Sequence, residues 1–181
     1  MRYYIIAGEP SGDLHASNLI KSIIKRDDAA QIRAMAGDLS REAGAELYRH
    51  YKDTAVMGIV EVVKKAGKIL NNLSDCKRDI LQFNPDVIIL VDYPGFNLKI
   101  AKFAKSRGLK VFYYIAPKVW AWKEHRVKEL RKYVDRLYII FPFEKDYFTQ
   151  RGVEAIYLGN PLADLESMDT NESIEEFRQK H

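Results

Sequence analysis

Short apolar runs alternate with amphipathic stretches along most of the chain, and this alternation limits the possible folds more than any other feature. The clearest run is Val87–Val91, which reads VIILV with no polar interruption. A run of this kind is typical of a strand that is buried on both faces of a parallel sheet. Similar runs predict further strands at residues 3–7, 32–36, 111–115, 137–140 and 155–157.

Apolar residues at helical spacing fill most of the intervals between these runs. In residues 14–24, for example, apolar side chains recur at Leu14, Leu19, Ile20 and Ile23. The alternation predicts an α/β fold, a doubly wound Rossmann-like lobe with a mainly parallel sheet. Such folds bind ligands at the carboxyl ends of their strands. The other predicted helices are residues 41–47, 59–73, 76–83, 98–107, 127–133 and 145–150.

Length and composition restrict the domain organisation and the class of function. The 181 residues fit one domain, predicted at residues 1–165, followed by a polar, acidic segment at residues 166–181. A formal charge of +4 is too small to indicate a nucleic-acid partner. The single cysteine, Cys76, excludes internal disulfides and multi-cysteine metal sites. No apolar run approaches the ~20 residues that a membrane-spanning helix requires.

The first candidate segment is residues 8–13 (GEPSGD), directly after the first predicted strand. Its glycines permit a tight turn, and a helix that begins here favours an anionic group at its N-terminus. The segment lacks both the Lys-Ser/Thr of a P-loop and the three glycines of a dinucleotide fingerprint. An ordinary strand-to-helix turn remains the alternative. The candidate residues are Glu9, Ser11, Gly12 and Asp13.

The second candidate segment is residues 92–97 (DYPGFN), after the strongest strand. Asp92 ends that strand, and a carboxylate at this position is suited to accept a proton from a sugar hydroxyl as a general base. Asn97 is suited to bind a hydroxyl or to cap the following helix. The alternative is a turn in which Asp92 is only a local hydrogen-bond acceptor.

The third candidate segment, residues 116–126, combines tryptophans with cationic side chains after another strand. Aromatic rings contact apolar faces, and lysine or arginine binds phosphate. The alternative places both tryptophans in the core and the cations in water. His125 has no partner ligands at metal spacing, so no metal site is predicted. The candidate binding residues are Lys118, Trp120, Trp122 and Arg126.

The fourth candidate segment, residues 57–73, has an apolar face opposite Lys64, Lys65 and Lys68. This pattern is typical of a helix that lies at a membrane surface. A helix docked on the core with solvated lysines is the alternative. The predicted membrane-contact residues are Ile59, Val62, Val63, Ile69 and Leu70.

Read in order, six motifs make the chain resemble one family over residues 1–165. They are GEPSGD, MGIVEV, VDYPGFN, APKVWAWKEHRV, FPFEKDYF and YLGNPLAD, and the first and fourth are the most specific. The series resembles the lipid-A-disaccharide synthases, glycosyltransferases built from two Rossmann-like lobes. The resemblance implies that this chain is the N-terminal half of a GT-B glycosyltransferase and that residues 166–181 are a linker or the start of the nucleotide-sugar domain.

The resemblance also implies a reaction and its setting. The family transfers 2,3-diacylglucosamine from its UDP derivative to 2,3-diacylglucosamine 1-phosphate, with inversion, giving a β-1,6 disaccharide and UDP. It uses no metal and no cofactor, and it works as a peripheral protein at the cytoplasmic face of the inner membrane. Asp92 matches the family's candidate base, Glu9, Ser11 and Asp13 match its first active-site loop, and residues 59–70 match its apolar membrane patch.

Two departures from the family pattern shape the expectations. Many relatives carry a second aspartate where this chain has Gly95, which favours Asp92 as the base. The family is also about twice as long, so we expect no turnover from this chain alone. A standalone module that binds acylated sugar phosphate without catalysis is one alternative, and an unrelated nucleotide-binding protein is another.

Overall fold

The computed structural model describes residues 1–54, 62–122 and 124–161 of the chain. Strands and helices alternate through these ranges, as the apolar pattern predicts. The strands are β1 Arg2–Ala7, β2 Gln31–Ala36, β3 Glu46–His50, β4 Val87–Val91, β5 Lys110–Tyr114, β6 Arg136–Ile139 and β7 Ala155–Tyr157. The helices are α1 Pro10–Ile24, α2 Asp38–Glu42, α3 Tyr51–Thr54, α4 Val62–Phe83, α5 Pro94–Ser106, α6 Val119–Trp122, α7 Arg126–Tyr133 and α8 Phe143–Thr149.

These strands form one sheet in the order β3-β2-β1-β4-β5-β6-β7, and every pairing between them is parallel. The predicted doubly wound Rossmann-like lobe with a mainly parallel sheet is therefore confirmed. The strand order reverses between β1 and β4, which are neighbours in the sheet although they are separated along the chain. Ligands of doubly wound folds bind in the crevice at such a reversal.

Side-chain alternation along β1 shows how the sheet separates two apolar layers. Tyr4 and Ile6 pack into one buried cluster, whereas Ile5 and Ala7 pack into the other. All four side chains are fully buried. Both faces of the sheet are covered, which explains why its central strands read as unbroken apolar runs.

The prediction of a helix at residues 41–47 was wrong. The chain forms the short α2 and then the edge strand β3, where none of the five residues is buried. An edge strand without a buried face has no apolar alternation, so periodicity alone does not reveal it. The two helices predicted at residues 59–73 and 76–83 are one helix, α4, over the described part of that region.

Buried polar contacts fasten α4 to the sheet. The Asp79 carboxylate binds the Arg33 guanidinium at 2.7 Å and accepts a hydrogen bond from the Tyr4 hydroxyl at 2.7 Å. Beside it, Cys76 is fully buried, and burial raises the pKa of its thiol to about 12. On the same helix, Asn72 and Asp75 lie one turn or more before Asp79. They accept hydrogen bonds from the guanidinium of Arg49 on β3. Charge pairs on one side and apolar packing on the other therefore fix the rotation of α4.

The sequence predicts a linker or further domain at residues 166–181 and no membrane-spanning helix. Residues 166–181, the predicted linker or further domain, lie outside the described residues. Within the described helices, none is long and apolar enough to cross a membrane.

Asp13 joins α1 to α2 through its buried carboxylate. Gly37, the N-cap of α2, has no side chain to cap that helix. The free amide groups at the amino end of α2 therefore need another acceptor. The Asp13 carboxylate accepts hydrogen bonds from the amides of Gly37, Leu39 and Ser40 and from the Ser40 hydroxyl. It replaces the missing cap and adds a negative charge at the positive end of the helix.

We expect Asp13→Ala to lower the free energy of unfolding by about 3 kcal/mol, because it leaves several buried donors without an acceptor. Chemical denaturation followed by circular dichroism measures this change. Asp28→Ala removes an exposed carboxylate from the loop after α1 and should leave the denaturation midpoint unchanged. Equal midpoints for the two variants would contradict the assigned role of Asp13.

Candidate functional site

The turns that follow β1 and β4 meet at the point where the strand order reverses. A Cβ atom on Gly8 would lie 2.3 Å from a ring carbon of Tyr93, so only glycine permits this approach. Glu9, the next residue, is the N-cap of α1, and Asp92 is the first residue after β4. The contact between Gly8 and Tyr93 thus brings Glu9 and Asp92 to one place.

The backbone at this edge adopts conformations that side-chain-bearing residues rarely adopt. Asp92, Tyr93 and Ile115 have φ angles of 42°, 44° and 64°. Each such residue costs about 1–3 kcal/mol, and residues of this kind cluster at functional sites. Ile115 is the least expected, because β-branched residues are the most strained in this region.

Two side chains stabilise the strained turn at Asp92 through hydrogen bonds to its backbone carbonyl. The Tyr113 hydroxyl donates to the Asp92 carbonyl at 2.5 Å, and the Asn97 amide donates to the same oxygen at 2.8 Å. Both Tyr113 and Asn97 are fully buried. Both bonds go to the backbone carbonyl, so neither occupies the Asp92 carboxylate.

The electrostatic surroundings make the Asp92 carboxylate more basic than an ordinary one. Burial raises the pKa of Asp92 most, and the neighbouring Glu9 carboxylate raises it further. Lys118 and the Tyr93 amide oppose this rise in the pKa but do not cancel it. A half-buried carboxylate with a raised pKa beside a second acid is typical of a site for proton transfer.

Asp92 lines a cleft of about 310 Å³ at the carboxyl edge of β4, β5 and β6. Lys118 and Arg126 line the same cleft and make no salt bridge with any carboxylate of the described residues. Two cations that form no salt bridge favour an anionic ligand. The remaining walls are Pro94, Ile115, Ala116, Pro117, Val119 and Ile140.

The structure therefore brings together four residues that the sequence predicts for the site: Asp92, Glu9, Lys118 and Arg126. Ser11 is exposed, and its hydroxyl donates to the Glu9 carboxylate at 3.3 Å. Ser11 thus belongs to the rim of the site.

Two other predicted binding residues have their polar groups engaged inside the protein: Asp13 caps α2, and Asn97 supports the Asp92 turn. We therefore assign Asp13 and Asn97 to positioning, in place of the direct substrate contact that the sequence predicts. Gly12 is buried in the first turn of α1, and its role in binding stays a prediction.

Trp120 lies beside the cleft, and its ring is not part of the cleft wall. Its indole N–H donates to Glu144 at 3.0 Å, and its ring meets Phe143 edge-on at 5.2 Å. The side chain of Trp122 lies outside the described residues.

Sequence reasoning missed Tyr113 and Glu144. A tyrosine inside a predicted strand resembles an ordinary core residue, so nothing marks the hydroxyl of Tyr113. Glu144 had a weak signal, because it is an acidic residue directly before the helix predicted at residues 145–150. Its carboxylate accepts the amides of Ile140 and Phe141.

The predicted membrane-contact residues lie on or before the amino end of α4. Ile59 and the side chains of Val62, Val63 and Ile69 lie outside the described residues. Leu70 is 59% exposed, whereas Leu73, on the same predicted face, is buried in the core. The apolar face therefore divides between Leu70, which faces outward, and Leu73, which packs inward.

Comparison of the sequence identifies its relatives. A family model described as lipid-A-disaccharide synthetase matches residues 3–181. The lipid-A-disaccharide synthase of Geobacter metallireducens is 43% identical over 178 residues, which are 97% of this chain and 46% of that protein. The synthase of Coxiella burnetii is 37% identical and covers 96% of this chain and 46% of its own length. The chain thus spans about half the length of these relatives.

Comparison of the fold leads to a wider group of proteins. The UDP-GlcNAc 2-epimerase of Methanocaldococcus jannaschii, solved with UDP-GlcNAc and UDP, matches with a TM-score of 0.69 at 17% identity, over 99% of this chain and 54% of its own. MurG of Acinetobacter baumannii matches with a TM-score of 0.58 at 12% identity, over 97% and 47% of the two chains. These likenesses show a shared Rossmann-like lobe of the GT-B kind, and with the family match and the two synthases they establish that the chain belongs to the lipid-A-disaccharide synthetase family.

Proposed function

We propose that this chain is the acceptor-binding lobe of an inverting hexosyltransferase of lipid A biosynthesis, with Asp92 as its general base. One observation carries the proposal: the cleft places a half-buried carboxylate of raised pKa near two cations that form no salt bridge with any described carboxylate. Family membership supports the reaction class, and the geometry of the cleft supports the division of roles.

The acceptor in this proposal is 2,3-diacylglucosamine 1-phosphate. Lys118 and Arg126 bind its phosphate, because a doubly charged group repays the cost of desolvating two cations. A cleft of about 310 Å³ suits the sugar phosphate and leaves no room for two acyl chains. The chains therefore extend over the surface that surrounds the cleft.

The donor is UDP-2,3-diacylglucosamine, which we place in the half of the relatives that this chain does not span. The acceptor 6-hydroxyl transfers its proton to Asp92 as its oxygen bonds to the anomeric carbon. The bond from that carbon to the diphosphate breaks, and UDP leaves from the opposite side. This single displacement inverts the anomeric centre, and we expect no turnover without the donor half, which stabilises the leaving diphosphate.

Glu9 tunes the base in this proposal. Its carboxylate raises the pKa of Asp92, so the proton accepted from the hydroxyl is held more firmly. Tyr113 and Asn97 keep the carbonyl of Asp92 fixed, so only its side chain moves as it accepts the proton. The chemistry needs no cofactor and no metal.

We also propose that the lobe is peripheral on the cytoplasmic face of the inner membrane. Helices of a parallel α/β unit run opposite to the strands, so the amino end of α4 lies at the same edge as the cleft. Leu70, in the amino-terminal half of α4, is exposed, and the lysines of the same segment are suited to anionic lipid headgroups.

The test of the base uses this chain extended by the carboxyl-terminal half of the Geobacter metallireducens relative. We expect Asp92→Asn to lower kcat by about 10²–10⁴ with little change in acceptor affinity, because asparagine cannot take the proton. Radiolabelled disaccharide formation measures kcat. Asp86→Asn, at the other end of the same strand, is the control and should retain wild-type kcat. Near wild-type turnover in Asp92→Asn would assign the base elsewhere, with Glu9 as the rival.

The pH dependence of turnover gives a separate prediction. Only the deprotonated Asp92 carboxylate accepts a proton, so kcat falls as pH drops through its raised pKa. Burial raises this pKa most, and Glu9→Gln removes the repulsion that raises it further, so the acid limb of the profile should move part of the way to lower pH. Rate profiles for the two proteins measure the shift. If the acid limb of Glu9→Gln stays at the wild-type pH, Glu9 does not raise the pKa of the base.

Membrane binding is tested by liposome flotation of the whole chain. We expect the triple substitution Ile59→Ser, Val63→Ser and Leu70→Ser to abolish binding to anionic vesicles, since each apolar side chain in lipid contributes roughly 1.5–3 kcal/mol. The thermal midpoint should not change. Leu81→Ser, which alters an exposed leucine at the other end of α4, should bind as the wild type does. Unfolding of the triple variant would show instead that this segment belongs to the core.

A further inference from the structure

Three aromatic rings form a continuous apolar surface next to the cleft, which we call the aromatic ledge: Trp120, Phe141 and Phe143. Phe141 and Phe143 stack with 5.6 Å between their centroids, and Phe143 meets Trp120 edge-on at 5.2 Å. Trp120 is 40% exposed and Phe143 is 52% exposed. Single exposed apolar residues are common, whereas a connected group of this kind marks a binding surface.

A buried carboxylate makes the ledge rigid. Glu144 is fully buried and accepts hydrogen bonds from the Trp120 indole at 3.0 Å and from the Phe141 amide at 3.1 Å. It therefore ties the segment that carries Trp120 to the segment that carries the two phenylalanines. The only polar atom of the indole is occupied, so the ledge offers apolar ring surface to a ligand.

The ledge and the cleft are joined through Lys118. This lysine lines the cleft, and its ammonium group lies 5.8 Å from the centroid of the Phe141 ring. Val119 and Ile140, which also line the cleft, are the chain neighbours of Trp120 and Phe141. A ligand with its anionic group at Lys118 therefore has apolar ring surface within reach of its next atoms.

We propose that the aromatic ledge binds one acyl chain of the phosphorylated glycolipid whose phosphate lies at Lys118 and Arg126. The proposal rests on the proposed function and adds a subsite to it. Charge complementarity selects the occupant: Lys118 and Arg126 line the cleft and the apolar rings lie beside it, so the ligand is anionic at one end and apolar next to that end. The surface is open, so the chain lies along the rings and is only partly removed from water.

Short alkyl phosphates test the ledge separately from the sugar. Butyl, hexyl and octyl phosphate, used below their micelle concentrations, are titrated into the whole chain by calorimetry, with the Trp120 indole N–H followed by NMR. We expect affinity to rise about twofold per methylene group, roughly half of what full burial provides. Phe143→Ser should remove this dependence on chain length and leave the affinity for inorganic phosphate unchanged.

The controls distinguish binding at the ledge from binding in the cleft and from nonspecific hydrophobic binding. Leu81→Ser, which alters a leucine that is 48% exposed and remote from the cleft, should keep the wild-type dependence on chain length. Phe143→Gln is a second ledge variant, and circular dichroism confirms the fold of each protein. A dependence on chain length that survives both Phe143 variants would overturn the proposal.

Two further outcomes are informative. If Phe143→Ser weakens binding to phosphatidylcholine vesicles and leaves the alkyl phosphate series unchanged, the ledge contacts a bilayer and the proposal is overturned. If Lys118→Ala and Arg126→Ala bind inorganic phosphate as the wild type does, the phosphate assignment in the proposed function fails. A chain-length dependence that Phe143→Ser still abolishes would in that case support the ledge on its own.

Discussion

The close approach of two turns is the constraint on which the site depends. Gly8 lies against the Tyr93 ring, and any larger residue would push the turn after β1 away from the turn after β4. That contact places Glu9 beside Asp92, and the Glu9 carboxylate adds to the rise in the Asp92 pKa that burial causes first. The turn after β4 has a left-handed backbone at two successive residues, and the buried Tyr113 and Asn97 hold it through hydrogen bonds to the Asp92 carbonyl. The approach of the two turns therefore sets the position of the two carboxylates and part of the basicity of Asp92.

Much of the fold and part of the site were predictable from the sequence. The central strands were clear because both of their faces are buried, and Val87–Val91 was predicted with its observed bounds. Asp92, Lys118 and Arg126 were predicted because polar residues after strands must lie at the carboxyl edge. The edge strand β3 was not, because it has no buried face.

The roles of individual polar side chains were the least predictable part. Asp13 and Asp92 both follow strands at the same sheet edge, yet Asp13 is surrounded by donors and Asp92 lines the cleft. Sequence position does not distinguish these cases, since the donors of Asp13 come from residues more than twenty positions away. Glu144 was missed for the same reason, because its partner Trp120 is distant in the chain.

The fastening of α4 has a consequence for how the lobe meets its substrate. Twenty-two residues make a rod of about 33 Å, and the pairing of Asp79 with Arg33 prevents the rod from rolling on the sheet. If lipid holds the amino end of this rod, the tilt of the whole lobe is set with it, and the mouth of the cleft stays at one height above the bilayer. In the proposed reaction, an acceptor that stays in the membrane would then reach Asp92 by lateral diffusion in two dimensions, and the rate of encounter would depend on its surface density rather than on its concentration in solution.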